Sequence, residues 1–266
     1  MFTKDDIKAQ LRAMGARSDC PTLMHSSLRL IGEVEGGAAE LLNALIEYFT
    51  ADGGLFCIPT HTWANLGKPV YTLDMTKCES NLGAFAKIAL ESGLGVRSEN
   101  PTHSMVVFGE REKALQFICD DEFVLTPTAP ESCYGKLYRD NGQILLAGVM
   151  QNRNTYLHTV AEILKLENRM DTKAIPVTVK RASGEVIERN ITLFNESFIG
   201  DASLRFTKYE LAFRYRGNTV DGLVGNAPAE LCSARGMLET IKLIFERSEG
   251  KDPLSDEKPI NPKLFS

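Results

Sequence analysis

His158 and Glu162 stand four residues apart in Asn154-Thr155-Tyr156-Leu157-His158-Thr159-Val160-Ala161-Glu162, shortly after an apolar run that ends at Val149. Asn154 or Thr155 can cap a helix starting there, which puts His158 in its first turn and Glu162 one turn later on the same face. A carboxylate so placed would fix the imidazole tautomer and raise the ring's pKa, while the helix N-terminus and any burial would lower it. These opposed effects suit a base that stays largely neutral near pH 7 yet accepts a proton. Acylation of an amine needs such a base, because the attacking nitrogen must shed a proton as the acyl group arrives. The same pair also fits an exposed helical ion pair worth about 0.3–0.5 kcal/mol, and spacing alone does not separate the two readings. The pair does not reproduce HExxH, and His25, His61 and His103 are widely separated along the chain. No metal is expected unless these rings converge in three dimensions.

Other polar groups sit where strands should end. His103 follows Asn100-Pro101-Thr102 and precedes Ser104 and the apolar Met105-Val106-Val107-Phe108. These hydroxyls and the imidazole can face a ligand, or they can merely satisfy a turn. His25-Ser26-Ser27-Leu28, with Gly32, Gly36 and Gly37 downstream, offers hydroxyls and backbone donors of the kind that receive phosphate oxygens. Asp74 can support a histidine or a cationic substrate, or close an Asx turn. Lys136, in Ser132-Cys133-Tyr134-Gly135-Lys136-Leu137, can meet a coenzyme phosphate or remain an ordinary exposed lysine.

The elements that must position these groups alternate. Residues 3–14 read as a short helix capped by Thr3, and 22–25 as a strand. Leu41, Leu42, Leu45, Ile46 and Phe49 form one face of a helix, and Leu55 to Ile58 a buried strand. Helix at 81–90, strand at 104–108, helix at 111–119 and strand at 143–149 follow. Ser183-Gly184 joins two strands in a hairpin. Pro228 opens a long late helix, and the tail from Gly250 is a surface extension. The pattern predicts an α/β protein with a central, mixed sheet, residues 1–266 forming a single domain. The strand–turn–helix at 22–49 lacks both GxGxxG and GxxxxGK[ST], which argues against a Rossmann dehydrogenase or a P-loop enzyme.

Composition narrows the class. A chain of 266 residues with 43% apolar residues can build a large core, and a net charge of −5 argues against nucleic-acid binding as its main work. Its six cysteines form no CxxC pair, consistent with reduced thiols in the cytoplasm. No apolar stretch suggests a signal segment or a membrane span.

Taken in order, these motifs resemble the aminoglycoside N3-acetyltransferase family, which is distinct from the GNAT acetyltransferases. The resemblance runs from His25-Ser26-Ser27-Leu28 through Leu55–Thr60, Asp74, Pro101–Ser104, Ser132 with Lys136-Leu137, and Gly142–Gly148. It then reaches Thr155–Glu162, with a weaker match at Gly222–Glu230. It implies an α/β/α-like antibiotic acetyltransferase fold binding acetyl-CoA as cosubstrate and an aminoglycoside, acetylated on the 3-amino group of its deoxystreptamine ring. By matching motif, His158 is the base, Glu162 its orienting partner and Asp74 a supporting acid or substrate contact. Ser26, Ser27, Leu28, Thr102, His103, Ser104 and Lys136 fall on the coenzyme side. Asn100 departs from the family, where many members carry a histidine; asparagine cannot exchange a proton near neutral pH. Transfer to another primary amine, metal-assisted hydrolysis and silent CoA binding are the competing readings, and the sequence leaves monomer against homodimer open.

Overall fold

Leu55–Pro59 and Gln143–Ala147 are apolar almost without interruption and buried throughout, and Pro21–Ser26 is buried over its first four residues, the pattern of strands covered on both faces. In the computed structural model, which describes residues 1–266, they form the parallel centre of a seven-stranded sheet. In chain order the elements are α1 (Lys4–Ala13), β1 (Pro21–Ser26), α2 (Leu28–Ile31), α3 (Gly37–Phe49), β2 (Leu55–Pro59), β3 (Leu73–Asp74) and α4 (Ala84–Glu91). Next come β4 (Val96–Arg97), β5 (Met105–Phe108), α5 (Arg111–Ile118), α6 (Cys133–Arg139), β6 (Gln143–Ala147), α7 (Tyr156–Ile163), β7 (Met170–Lys180) and β8 (Val186–Phe194). The chain ends with α8 (Glu196–Ile199), α9 (Glu210–Tyr215), β9 (Thr219–Val224), β10 (Ala227–Ser233) and α10 (Ala234–Arg247).

The large sheet runs β4-β5-β2-β1-β6-β10-β9 and is mixed: β1 lies parallel to β2 and β6, and the outer strands pair antiparallel. Alternate side chains feed two cores of similar size, so both faces need helices. Leu23, Cys57 and Ile144 point to one core with α7 and α10. Met24, Phe56 and Leu145 point to the other with α3. A second sheet, β3-β7-β8, is mostly the long hairpin that turns at Ser183-Gly184.

Thr3 caps α1 in a reciprocal capping box with Asp6. Two expectations change. Pro228 lies in β10, not in a helix: Ala227, Ala229 and Leu231 are buried while Pro228 faces out, a period of two. The late helix starts at Ala234, where the Ser233 hydroxyl accepts from the Gly236 N–H at 3.1 Å. Residues 250–266, expected as a surface extension, insert Leu254, Ile260 and Phe265 into the core beside α10. No helix is long and apolar enough to cross a membrane.

Candidate active site

α7 follows β6 through a 3₁₀ turn at Gln151–Arg153. The Asn154 amide donates to Gln151 Oε1 at 2.9 Å, and Thr155 makes no side-chain cap. The helix instead opens on backbone bonds from Leu157 to Asn154 O and from His158 to Thr155 O, both 3.1 Å. Tyr156, Leu157 and Val160 are buried, and the Tyr156 hydroxyl donates to Ala234 O at 2.9 Å. That anchorage leaves His158 in the first turn, half-buried at the rim.

The His158 ring lies flat on Phe194, with centroids 4.0 Å apart and planes at 14°, and meets the edge of Phe206 at 4.8 Å. Neither nitrogen has a hydrogen-bond partner in the chain. The expected pairing with Glu162 is absent. Glu162 instead accepts from the Thr126 hydroxyl and from the Thr128 hydroxyl at 2.6 Å, two donors on the neighbouring loop that satisfy its carboxylate. Burial raises the Glu162 pKa, and the two hydroxyls restrain the rise. Desolvation pushes His158 down to about 3, and the nearby Arg169 charge adds to this. Partial burial therefore favours the neutral imidazole, and stacking orients the ring.

The other histidines converge on this edge, where the parallel strands end. His25 belongs to β1, His61 follows β2 and His103 precedes β5. His61 and His103 have centroids 4.2 Å apart, and His103 meets the edge of Phe194 at 5.5 Å. His61 Nε2 shares a 2.7 Å hydrogen bond with the Tyr134 hydroxyl, and His103 Nδ1 shares one of 3.0 Å with the Thr102 hydroxyl. Burial holds His25 and His103 at about 3. His61 is driven well below its ordinary value by burial and by repulsion from the other three rings. This convergence depends on topology and is invisible in the linear order of the residues.

Asn100 is fully buried as a brace for the turn before β5. Its Oδ1 accepts from His103 N at 2.9 Å and Thr102 N at 3.3 Å, and its amide donates to Pro127 O at 2.8 Å. Thr102 and Ser104 are also sealed inside. Ser104 donates to Thr60 O at 2.9 Å and accepts from Arg97 Nε at 3.2 Å. The Thr102 hydroxyl therefore holds the His103 ring, Ser104 ties the start of β5 to Thr60 and Arg97, and both hydroxyls are spent on internal partners.

Two further expected contacts are redirected. Lys136 is 1% exposed; its ammonium donates to Phe117 O at 2.8 Å and Gln116 O at 3.2 Å and pairs with Asp120 at 2.6 Å. It closes the carbonyl end of α5 and has no donor left for a phosphate. Asp74 accepts from Thr76 N at 3.0 Å and from the Thr76 hydroxyl at 2.6 Å, with Lys180 and Lys77 at 3.8 and 3.9 Å. Desolvation there is outweighed by these donors and cations, and its pKa falls. The carboxylate closes an Asx turn and touches no histidine.

Ser26 does reach solvent. With His25, Pro59, Phe85, Val149 and Arg153 it lines a cleft of about 270 Å³ at the same strand ends. Ser27 and Leu28 are half-buried at the start of α2, where Ser27 N donates to Ala147 O at 2.9 Å. His25 Nε2 is buried without a partner. Arg153, exposed on the turn leading to α7, is the cation of this cleft. It escaped the sequence reading, although its place between β6 and α7, beyond a parallel strand's carboxyl end, was a usable signal.

Residues 23–246 match the aminoglycoside 3-N-acetyltransferase family. The chain belongs to that family. It is an N-acetyltransferase, as the motifs implied. It is 26% identical to the prophage-derived aminoglycoside N(3')-acetyltransferase-like protein YokD of Bacillus subtilis, over 94% of each chain. Its fold resembles a variant of aminoglycoside acetyltransferase AAC(3)-IVa solved with a gentamicin, at a TM-score of 0.78 and 22% identity over 97% of this chain and 92% of that one. It also resembles AAC-IIIb solved with CoASH, at 0.75 and 21% over 92% and 97%. The α/β expectation, with its mixed central sheet, holds for this acetyltransferase.

Proposed function

We propose that the chain transfers an acetyl group from acetyl-CoA to the 3-amino group of the deoxystreptamine ring of an aminoglycoside, with His158 as general base. Family membership and the gentamicin and CoASH complexes of its structural relatives support the substrates. The observation that carries the catalytic assignment is the His158 ring, partly exposed in the first turn of α7, stacked on Phe194 and with neither nitrogen bonded within the chain. Acetyl-CoA lies along the cleft at the strand ends, with Ser26 at its wall and Arg153 toward its phosphates. The amine nitrogen attacks the thioester carbonyl, a C–N bond forms, and the nitrogen proton passes to His158. The C–S bond then breaks, and the thiolate takes a proton to leave as CoASH.

Purified wild type, His158→Ala and His158→Gln should be compared after each variant is shown to be folded. Mass spectrometry of products from aminoglycosides and simpler primary amines should yield a singly acetylated drug, with fragmentation locating the nitrogen. Loss of the base should lower kcat by about 10²–10⁴-fold. Undiminished transfer by folded variants would refute the base, and acetylation confined to simple amines would refute the drug.

A further inference from the structure

The His158 ring has no hydrogen bond to orient it, so the positions of Phe194 and Phe206 decide where its nitrogens point. Phe194 ends β8, and its pairing with Met170 is separated by an irregularity from the regular ladder that resumes at Ala174. The rest of the hairpin therefore does not fix this rung. What holds it is Arg169, the preceding residue, whose carbonyl accepts from Asn195 N at 2.9 Å. The Arg169 guanidinium is clamped in turn by Asp252, with Nε–Oδ2 at 2.6 Å and Nη2–Oδ1 at 2.9 Å and side chains only 6% and 8% exposed.

The same tail segment holds the second wall. Arg205 donates to Leu254 O at 2.9 Å, and Lys208 donates to Pro253 O at 2.9 Å and Asp256 O at 2.7 Å. These two cations flank Phe206 in sequence, and Leu254 is fully buried in the same core as Phe206. Residues 252–256 thus touch the supports of both rings that enclose His158, from almost a hundred positions away in sequence.

We infer that residues 252–256 are a brace for the catalytic pocket, and that Asp252 is a positioning residue that fixes the His158 ring through Arg169 and Phe194. This rests on His158 being the base, but the brace itself can be read without turnover. A ring proton above an aromatic face is shielded, so the His158 ring resonances report its stacking on Phe194. The experiment compares the full-length wild type with Asp252→Asn, which keeps an acceptor for Leu254 N while losing the charge. Because that change leaves a buried guanidinium unpaired and can cost folding, the combined Arg169→Met and Asp252→Leu variant removes both charges. Ile244→Val, a mild change elsewhere in the same core, controls for general destabilisation.

In the folded brace variants the His158 resonances should move downfield and kcat should fall about ten- to a hundredfold, with KM for acetyl-CoA changing less than about twofold. Ile244→Val should move neither. Unchanged resonances in the folded brace variants would overturn the inference, as would equal changes in Ile244→Val. A fully active His158→Ala would remove the base yet leave the brace to be judged by the resonances alone.

Discussion

Mild acid should destabilise this protein through its histidines before most of its carboxylates titrate. An ordinary histidine titrates at 6.5, whereas His25, His103 and His158 are held at about 3 and His61 also lies well below normal. A ring that is neutral when folded but protonated when unfolded makes unfolding take up a proton. Stability is then fully present above about pH 6.5 and is lost progressively down to the folded pKa. For a ring shifted to about 3 the loss is about 2 kcal/mol at pH 5. His103, 9% exposed, should come near that figure. His25 and His158 keep some contact with solvent and should contribute less. Glu162 and Asp121 oppose the trend, because burial raises both and the folded state then takes up their protons first. The net loss at pH 5 should be about 3–5 kcal/mol, a large share of the roughly 5–15 kcal/mol that stabilises a domain.

Urea unfolding between about pH 7.5 and 5.5 measures this directly, because each proton taken up on unfolding changes the free energy by about 1.4 kcal/mol per pH unit. Two to four protons, by order of magnitude, are expected at the acid end of that window, and His103→Gln should remove about one of them. A flat profile in the wild type would mean that the rings protonate while folded. The neutral cluster would then be wrong, and with it the protonation state assigned to His158.

Four further outcomes follow from single contacts. Lys136→Met should cost about 1–3 kcal/mol in thermal or urea unfolding, through lost charge-assisted bonds to α5; a raised KM for acetyl-CoA without lost stability would return the lysine to the coenzyme. Arg153→Gln should raise that KM about tenfold with little change in kcat, and an unaltered KM would remove Arg153 from the cleft's chemistry. Asn100→Ala strips two buried N–H groups and a carbonyl of partners and should cost about 2–4 kcal/mol, which equilibrium unfolding will show or deny. Glu162→Gln should leave the His158 resonances in place, since the carboxylate binds threonines; displaced resonances would restore it as the orienting group.

Much of the scaffold was legible because periodicity and capping are local. The Thr3 cap, the α3 stripe, the buried β2 strand, the 183–184 turn and His158 in a first helical turn could all be read from neighbouring residues. Direction was not legible. Lys136 follows a polar turn just as a ligand-binding lysine would, and only the packing of α6 against α5 shows that it points inward. Thr102, Ser104 and Asp74 have the composition of ligand contacts and the geometry of turns, and those two states share one sequence pattern. Pro228 was misread because its helical spacing to Leu231 and Leu238 crosses a strand–helix junction. Phe194, Arg169 and Asp252 gave no signal, since their relation to His158 exists only after the hairpin and tail have folded back.

The exchange of a carboxylate partner for aromatic walls alters what His158 can do. A charged partner would raise the ring's pKa and bring imidazolium into a cleft where, on the proposed chemistry, the incoming substrate is itself cationic. Stacking orients the ring without adding charge, so its lone pair remains free at neutral pH. A base of such low pKa is poorly matched to an amine at the outset. On the proposed chemistry it would become matched once the C–N bond forms and the nitrogen turns acidic, so that His158 would act late in the reaction. That timing makes position more important than basicity. On that reading it gives a physical reason for a tail segment to clamp Arg169, Arg205 and Lys208, whose neighbours Phe194 and Phe206 enclose the ring.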